Sequence, residues 1–298
     1  MNSELKHIPV LCQEIMGYLK LNQGDTVFDA TLGGGGHAGE ILKKIIPEGI
    51  LIAVDRDIEA IERVKFGLKQ YEGSIIYAND SFRNIDQILR RERITELDSA
   101  VFDLGMSSFQ IDDAERGFSF LKDGPLDMRF DKSQELSAVE VVNKFGMEKL
   151  ADIIKEYGEE RHAKLIASAV AVARKKKRIS TTGELKEVIY QAVGRKYSRQ
   201  KLNPAARTFQ ALRIYVNDEL EAIEDAVAKT ISYLKPNGRI CVISFHSLED
   251  RIVKNIFRNK QREKEISVIT KKPIYPSREE IAVNHRSRSA KLRVAEKL

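Results

Sequence analysis

Two cysteines in 298 residues, Cys12 and Cys241, are too few for a disulfide framework or a four-ligand zinc site. Histidine is nearly as scarce: five residues, scattered, predict no metal centre. No apolar run approaches the ~20 residues needed to cross a bilayer. The most apolar helical stretch, Ala163 to Ala173, is interrupted by Lys164 and Ser168. Residues 1–14 carry charges where a secretory leader needs an apolar segment. The expectation is a cytoplasmic protein with no membrane span, no metal and no disulfide. Its 42% hydrophobic and 32% charged residues suit a globular chain with a sizeable core.

The charge is divided unevenly. Residues 1–150 hold 18 Lys+Arg against 26 Asp+Glu, and residues 151–298 hold 32 against 18. A basic second half fits a polyanionic partner, and it fits a solvated basic surface equally well. Arg174 to Arg178, five consecutive basic residues, and the stretch from Lys254 to Arg262 carry the same ambiguity.

Strand and helix alternate through the first half. Unbroken apolar runs predict strands at Thr26–Ala30, Ile50–Val54, Ser74–Ala78 and Ser99–Phe102. Helical spacing recurs at His37–Ile46, after Asp55 through Leu68, and at Ile85–Arg91. Such alternation means a parallel sheet covered on both faces. Gly105–Asp131 then has no sustained period, but four phenylalanines (109, 118, 120 and 130) argue that it is ordered. From Ser137 the pattern is helical, with capping-box spacing at Ser137-x-x-Glu140 and Thr181-x-x-Glu184 and a helix start at Asn203-Pro204. One long helix is expected through Phe209, Leu212, Val216, Leu220 and Ile223. Strand character returns at Arg239–Phe245, a helix starts at Leu248, and strands follow at Ile266–Thr270 and Ala290–Ala295. The fold class is α/β: a doubly wound, mostly parallel sheet, interrupted after its fourth strand by an all-helical insert.

Gly34-x-Gly36-x-x-Gly39 lies between a strand and a helix with Asp55 about 20 residues on, as in dinucleotide-binding turns. No Lys-Ser/Thr follows it, which excludes a phosphate-cradling P-loop. Asp29, Asp55, Asp80 and Asp103 fall at or just after the ends of four successive predicted strands, where open α/β sheets bind ligands. Carboxylates crowded there repel a pyrophosphate and welcome a ligand with a sulfonium and an ammonium group, S-adenosylmethionine. Asp55 can accept hydrogen bonds from ribose hydroxyls, and Phe82 can stack on adenine.

Seven segments then fit one pattern: Gly33–His37, Asp103–Ser108, Asp112–Phe120, Gly124–Arg129, Arg207–Ile214, Ile243–Arg251 and Arg286–Arg293. In this order and over nearly the whole chain, they resemble the bacterial ribosomal RNA small subunit methyltransferase H family, also called MraW. The resemblance implies a Rossmann-like methyltransferase sheet whose C-terminal strand is antiparallel. It divides the chain into a discontinuous methyltransferase domain, residues 1–108 and 216–298, and a helical insertion domain, residues 109–215, for substrate recognition. The implied reaction moves a methyl group from S-adenosylmethionine to the exocyclic N-4 amine of one cytidine in the decoding region of 16S rRNA, in the small ribosomal subunit. The family's cofactor contacts fall on Gly35, Gly36, His37, Asp55, Phe82, Asp103 and Gln110. Phe109 and His285 stand where prolines are usual. A homodimer is left open.

Many amino-methyltransferases carry an Asp/Asn-Pro-Pro-aromatic motif; this chain has Asp103-Leu104-Gly105-Met106 instead. Asp103, ending the fourth strand, is the first candidate to accept the amine's hydrogen, with His246 second. Arg129, Arg174, Lys175, Lys176, Arg286, Arg288 and Arg293 are the candidate RNA contacts. Two other readings remain at this point: a nicotinamide-dependent oxidoreductase using the glycine turn, and a non-catalytic RNA-binding assembly protein.

Overall fold

The computed structural model describes residues 9–197 and 203–298. Contacts divide the chain into an α/β unit, Met1–Met106 with Leu220–Leu298, and a helical unit, Ser107–Glu219. The α/β unit opens with α1 (Cys12–Leu19), β1 (Thr26–Asp29), α2 (Gly36–Ile45), β2 (Ile50–Asp55), α3 (Ile58–Gly67), β3 (Ile75–Asn79), α4 (Ile85–Arg91) and β4 (Leu97–Asp103). The helical unit holds α5 (Ser108–Asp112), α6 (Ala138–Lys144), α7 (Met147–Gly158), α8 (Ala163–Lys176), α9 (Thr182–Tyr197) and α10 (Ala206–Asn217). Then follow α11 (Glu219–Tyr233), β5 (Leu234–Ser244), α12 (Ser247–Arg262), β6 (Ile266–Val268), α13 (Arg278–Val283) and β7 (Lys291–Lys297).

The seven strands lie in the order β3-β2-β1-β4-β5-β7-β6. Strands β1 to β5 are parallel, and β7 runs antiparallel to both β5 and β6. The central strands are buried on both faces, which is why β1, β2 and the second half of β5 read as nearly continuous apolar runs. Side chains alternate across the sheet. Phe28, Ile52, Phe102 and Val242 pack with Ile88 of α4, Val227 of α11 and Phe257 of α12. Their neighbours Val27, Leu51, Val101 and Ile243 pack with Ile15 of α1, Ile41 of α2 and Ile61 of α3. The strand order reverses direction between β1 and β4, so the switch point where such sheets hold ligands lies at the ends of these two strands. Helix α1 has no counterpart in the sequence reading, because only Ile15 and Leu19 of its eight residues are buried, too few to show a period.

The helical unit is built on apolar stripes of α7 to α10, including Ile153, Ile166, Ile189 and Leu212. The aperiodic stretch before α6 supplies part of that core: Phe118 stacks on Phe130, and Phe120 meets Phe209 edge to face. The box at Thr181 forms, with Thr181 Oγ1 accepting from the Glu184 N–H and Glu184 accepting from the Thr181 N–H. Ser137 occupies the cap position but makes no side-chain cap bond, and the Glu140 carboxylate is engaged by Lys144 and Arg178. Helix α10 begins at Ala206 rather than Pro204, and Asn203 Oδ1 accepts from Ala205 N–H in the preceding turn.

The single long helix expected through Ile223 is two helices. Asp218 takes a left-handed conformation, φ 52°, which ends α10. Asn217 fixes the break: its amide donates to the Met128 and Arg213 carbonyls and accepts from Phe130 N–H. Across it, Arg213 and Glu219 form a two-bond pair at 2.8 and 2.9 Å. With side chains only 10% and 8% exposed, neither charge has water to replace its partner. Glu219→Gln should destabilise the protein by about 3–5 kcal/mol, the usual consequence of stranding one buried charge. Urea unfolding measures this, and a loss under about 1 kcal/mol would mean that Asn217 alone holds the break.

Candidate active site

The α/β unit gathers its acidic residues where β1, β2 and β4 end. After Asp29 the chain stays wedged in the sheet, with Ala30 N–H donating to the Val101 carbonyl and Leu32 N–H to that of Val54. The glycine turn then reverses it into α2. Gly33 and Gly35 have φ of 51° and 75°, the left-handed region that favours glycine, and a Cβ on Gly35 would stand 2.8 Å from Val64. A Cβ on Gly36 would press on Pro9 at 2.9 Å. At Gly39 a Cβ would meet only Leu68 at 3.6 Å, an ordinary contact. The Gly34-x-Gly36-x-x-Gly39 spacing therefore lacks the close helix packing that a dinucleotide turn demands of its third glycine.

Asp55 holds this turn from the end of β2. Its Oδ2 accepts from Gly33 N–H at 2.8 Å and its Oδ1 from Asp57 N–H at 2.9 Å. Asp80, just past β3, accepts from Ser81 N–H and the Asn84 amide through one oxygen. Phe82 follows in a short 3-10 turn, partly buried, with its edge against Phe102 at 5.7 Å.

Asp29 and Asp103 differ from these two. Asp29 is 1% exposed; Oδ1 accepts from Thr31 N–H, and Oδ2 is buried with no hydrogen-bond partner among the described residues. Burial first, with Asp103 and Asp55 adding, pushes its carboxyl up to about 6 against the opposing pull of His37 and the Thr31 N–H. Asp103 donates its backbone N–H to Thr31 Oγ1 at 2.7 Å, while its Oδ1 is likewise sealed and unpartnered. Burial, helped by the Glu249 charge, pushes it up to about 7. His37, expected at the cofactor, lies buried between them. Its Nε2 lies 2.9 Å from the Val10 carbonyl, so Nε2 carries the hydrogen, and Nδ1 faces Asp103 Oδ2 at 3.6 Å. Burial holds the imidazole below its usual value. A neutral ring beside an ionised Asp103 would set a lone pair against a negative charge. The pair is comfortable only when it holds one proton.

The end of β5 completes the cluster with a residue that the sequence reading treated as a plain helix start. Glu249 is fully buried, and its Oε2 accepts from both Phe245 and His246 N–H. His246 is the N-cap of α12: Nδ1 accepts from Glu249 N–H at 3.4 Å, and Nε2 lies 3.1 Å from Glu249 Oε1. The spacing is that of a capping box, hidden because His stands in for Ser or Thr.

The remaining expected site residues each have a setting of their own. Gln110 belongs to the helical unit, where it and Ser107 bond reciprocally to each other's N–H. Arg129 there is committed to Asp127 and to the Lys132 and Gln134 carbonyls. Arg174 closes the end of α6 by donating to the Val142 and Phe145 carbonyls, while Lys175 and Lys176 are exposed. In the α/β unit Arg286 and Arg288 are exposed. Arg293, expected at RNA, is 8% exposed and paired with Asp250 at 2.7 Å; it sits inward on β7 and ties that strand to α12.

The family model described as the MraW methylase family matches residues 4–298. The chain is 48% identical over 309 residues to ribosomal RNA small subunit methyltransferase H of Halothermothrix orenii, covering 99% of each chain. To the protein of that name in Persephonella marina it is 48% identical, covering 99% of this chain and 100% of that one. A solved chain from Clostridium thermocellum superposes with a TM-score of 0.50 at 14% identity, over 98% of this chain and 99% of that one, a likeness of fold alone.

The raised carboxyls set a pH dependence of stability. The unfolded Asp103 titrates near 3.8 and the folded one near 7, so between those values the folded protein holds a proton that the unfolded chain has released. Stability must therefore fall as pH rises through that window. Asp103→Asn, which keeps the shape and removes the charge, should stabilise the ligand-free protein by on the order of 1–3 kcal/mol at pH 8 and less than half of that at pH 5. Chemical unfolding at the two values is the check; equal gains at both would contradict a raised Asp103.

Proposed function

The chain belongs to the MraW methylase family, and on that premise we propose that it is an S-adenosylmethionine-dependent ribosomal RNA methyltransferase acting on the exocyclic N-4 amine of one cytidine in the decoding region of 16S rRNA. The observation that carries this reading is the pair of buried oxygens on Asp29 and Asp103, at the sheet's switch point, with no hydrogen-bond partner among the described residues. Oxygens held that way suit a cation and repel a phosphate. A site for a dinucleotide would need the opposite charge, which removes the oxidoreductase reading.

S-adenosylmethionine, when bound, supplies the methyl carbon on a positively charged sulfur. The residues that fit it are Gly33, Gly35 and Gly36, where the turn's backbone conformation or close packing favours glycine, with Asp29, Asp55, Phe82 and Asp103. Asp55 does two jobs in this account, since the carboxylate that offers lone pairs to ribose hydroxyls also pins Gly33.

Asp103 is the group proposed to meet the amine. A cytosine amino nitrogen is a poor nucleophile because its lone pair is delocalised into the ring, so orientation of that nitrogen is the main demand. An ionised Asp103 accepts a hydrogen bond from the amine, and that bond strengthens as the nitrogen becomes positive. A carboxyl titrating near 7 is matched to taking the surplus proton at neutral pH. Glu249 assists from behind, and its grip on His246 makes that histidine a positioning residue in this proposal. Methylation of a ring carbon would instead need a nucleophilic thiolate. Cys241 is fully buried in β5 with its thiol pushed up by burial, and the Cys12 thiol is pushed up to about 11, mainly by burial. Both are held away from the thiolate.

The helical unit is proposed to contribute to RNA recognition through Lys175 and Lys176, and the cytoplasm, where ribosomal subunits are, is the proposed location. Labelled methyl transfer to small subunits lacking the modification, followed by nucleoside mapping, tests the reading: N4-methylcytidine in 16S rRNA supports it, and label in a ring-methylated base or no transfer opposes it. Asp103→Ala should lower the single-turnover rate by ~10²-fold or more, at saturating cofactor and subunit alike. Full recovery on raising cofactor alone would restrict Asp103 to cofactor binding.

A further inference from the structure

Helix α12 starts at His246, beside the acidic crevice, and runs 16 residues away from it. Its inner face buries Val253 and Phe257 against the sheet. On the opposite face Arg251, Lys254, Arg258 and Arg262 are all exposed. At 100° per residue these four fall within an arc of about 80°, and they span about 16 Å of helix. No acidic residue shares the stripe: within α12, Glu249 is buried and Asp250 is paired with Arg293 and Lys291. The side chains of Lys254, Arg258 and Arg262 have no hydrogen-bond or ion-pair partner among the described residues.

A solvated helix face ordinarily alternates Glu with Lys at i,i+4, because like charges at that spacing repel. Here Lys254–Arg258 and Arg258–Arg262 are both like-charged i,i+4 pairs. The helix carries this repulsion unrelieved in the free protein. A ligand that supplies negative charge at regular intervals would relieve it.

We infer that the outer stripe of α12, through Lys254, Arg258 and Arg262, is a binding track for the phosphate backbone of the substrate RNA, leading to the crevice at the helix's own N-terminus. This rests on the function proposed above and adds the surface by which the α/β unit grips its substrate. Phosphate contacts of this kind position the strand and carry no sequence information.

The test compares wild type with the triple variant Lys254→Gln, Arg258→Gln, Arg262→Gln, using small subunits that lack the modification. Losing three phosphate contacts should flatten the log–log salt dependence of subunit binding by about 2, at ~0.7 per contact for single-stranded RNA. The KM for subunits should rise about tenfold or more near physiological salt, the scale of losing those contacts. The single-turnover rate at saturating subunits and the S-adenosylmethionine dissociation constant should stay within twofold. With the repulsion gone, the variant's Tm should equal or exceed that of wild type. An unchanged slope and KM would overturn the track, as would a collapse in cofactor affinity, which would mean that the stripe supports the crevice instead. Anionic phosphatidylglycerol vesicles captured by wild type but not by the variant, with subunit affinity unaltered, would assign the stripe to a membrane surface and also overturn it. Wild-type protein that shows the salt slope but transfers no methyl group would overturn the proposed function while supporting the track.

Discussion

A carboxylate oxygen removed from water with no donor to meet it is costly, and among the described residues the α/β unit keeps two of them, Asp29 Oδ2 and Asp103 Oδ1, at the switch point of its sheet, with Glu249 Oε1 a third after the end of β5. The surrounding structure maintains that cost. Thr31 bonds both residues, accepting from the Asp103 N–H and donating its own N–H to Asp29. The glycine turn, pinned by Asp55, closes over the edge of the sheet. Buried Glu249 adds a third negative charge behind Asp103. In the free protein, the raised carboxyls of Asp29 and Asp103 favour holding protons, which eases the repulsion. A cationic ligand can take over that role.

This accounts for the division of labour in the sheet. Asp55 and Asp80 sit at the ends of β2 and β3 and spend their oxygens on backbone N–H groups and on Asn84, as ordinary strand-end residues do. Asp29 and Asp103, at the reversal between β1 and β4, each keep one buried oxygen with no hydrogen-bond partner among the described residues. The four aspartates are alike in sequence position and separate into two kinds only when the strand order is known.

Much of the fold was legible in the chain. Strands buried on both faces announce themselves as apolar runs, as β1 and β2 do, and all seven expected strand segments overlap β1 to β7, with ends shifted by a few residues. The seams were less visible. One hydrophobic stripe continues from Phe209 to Ile223, and nothing in its period reveals that Asp218 turns left-handed there. That turn depends on Asn217 meeting Met128 and Phe130, nearly ninety residues earlier in the chain. The site followed the same rule. The glycine turn and the strand-end aspartates were read from local spacing and His37 and Gln110 from the family resemblance, whereas the buried role of Glu249 was hidden because His246 caps its helix in place of a hydroxyl. Arg293 looked like a free cation because its partner, Asp250, is 43 residues away in sequence.

The central claim is that a crevice of protonated, crowded carboxyls is discharged by a positively charged sulfur. Calorimetric titration at pH 6.5 in buffers of different ionisation enthalpy counts the protons released on binding. S-adenosylmethionine and S-adenosylhomocysteine differ by the methyl group and the positive charge on sulfur. The account predicts that S-adenosylmethionine expels a substantial fraction of a proton more than S-adenosylhomocysteine, and that the difference disappears in Asp103→Asn. Equal proton release by the two ligands in the wild-type protein would contradict it.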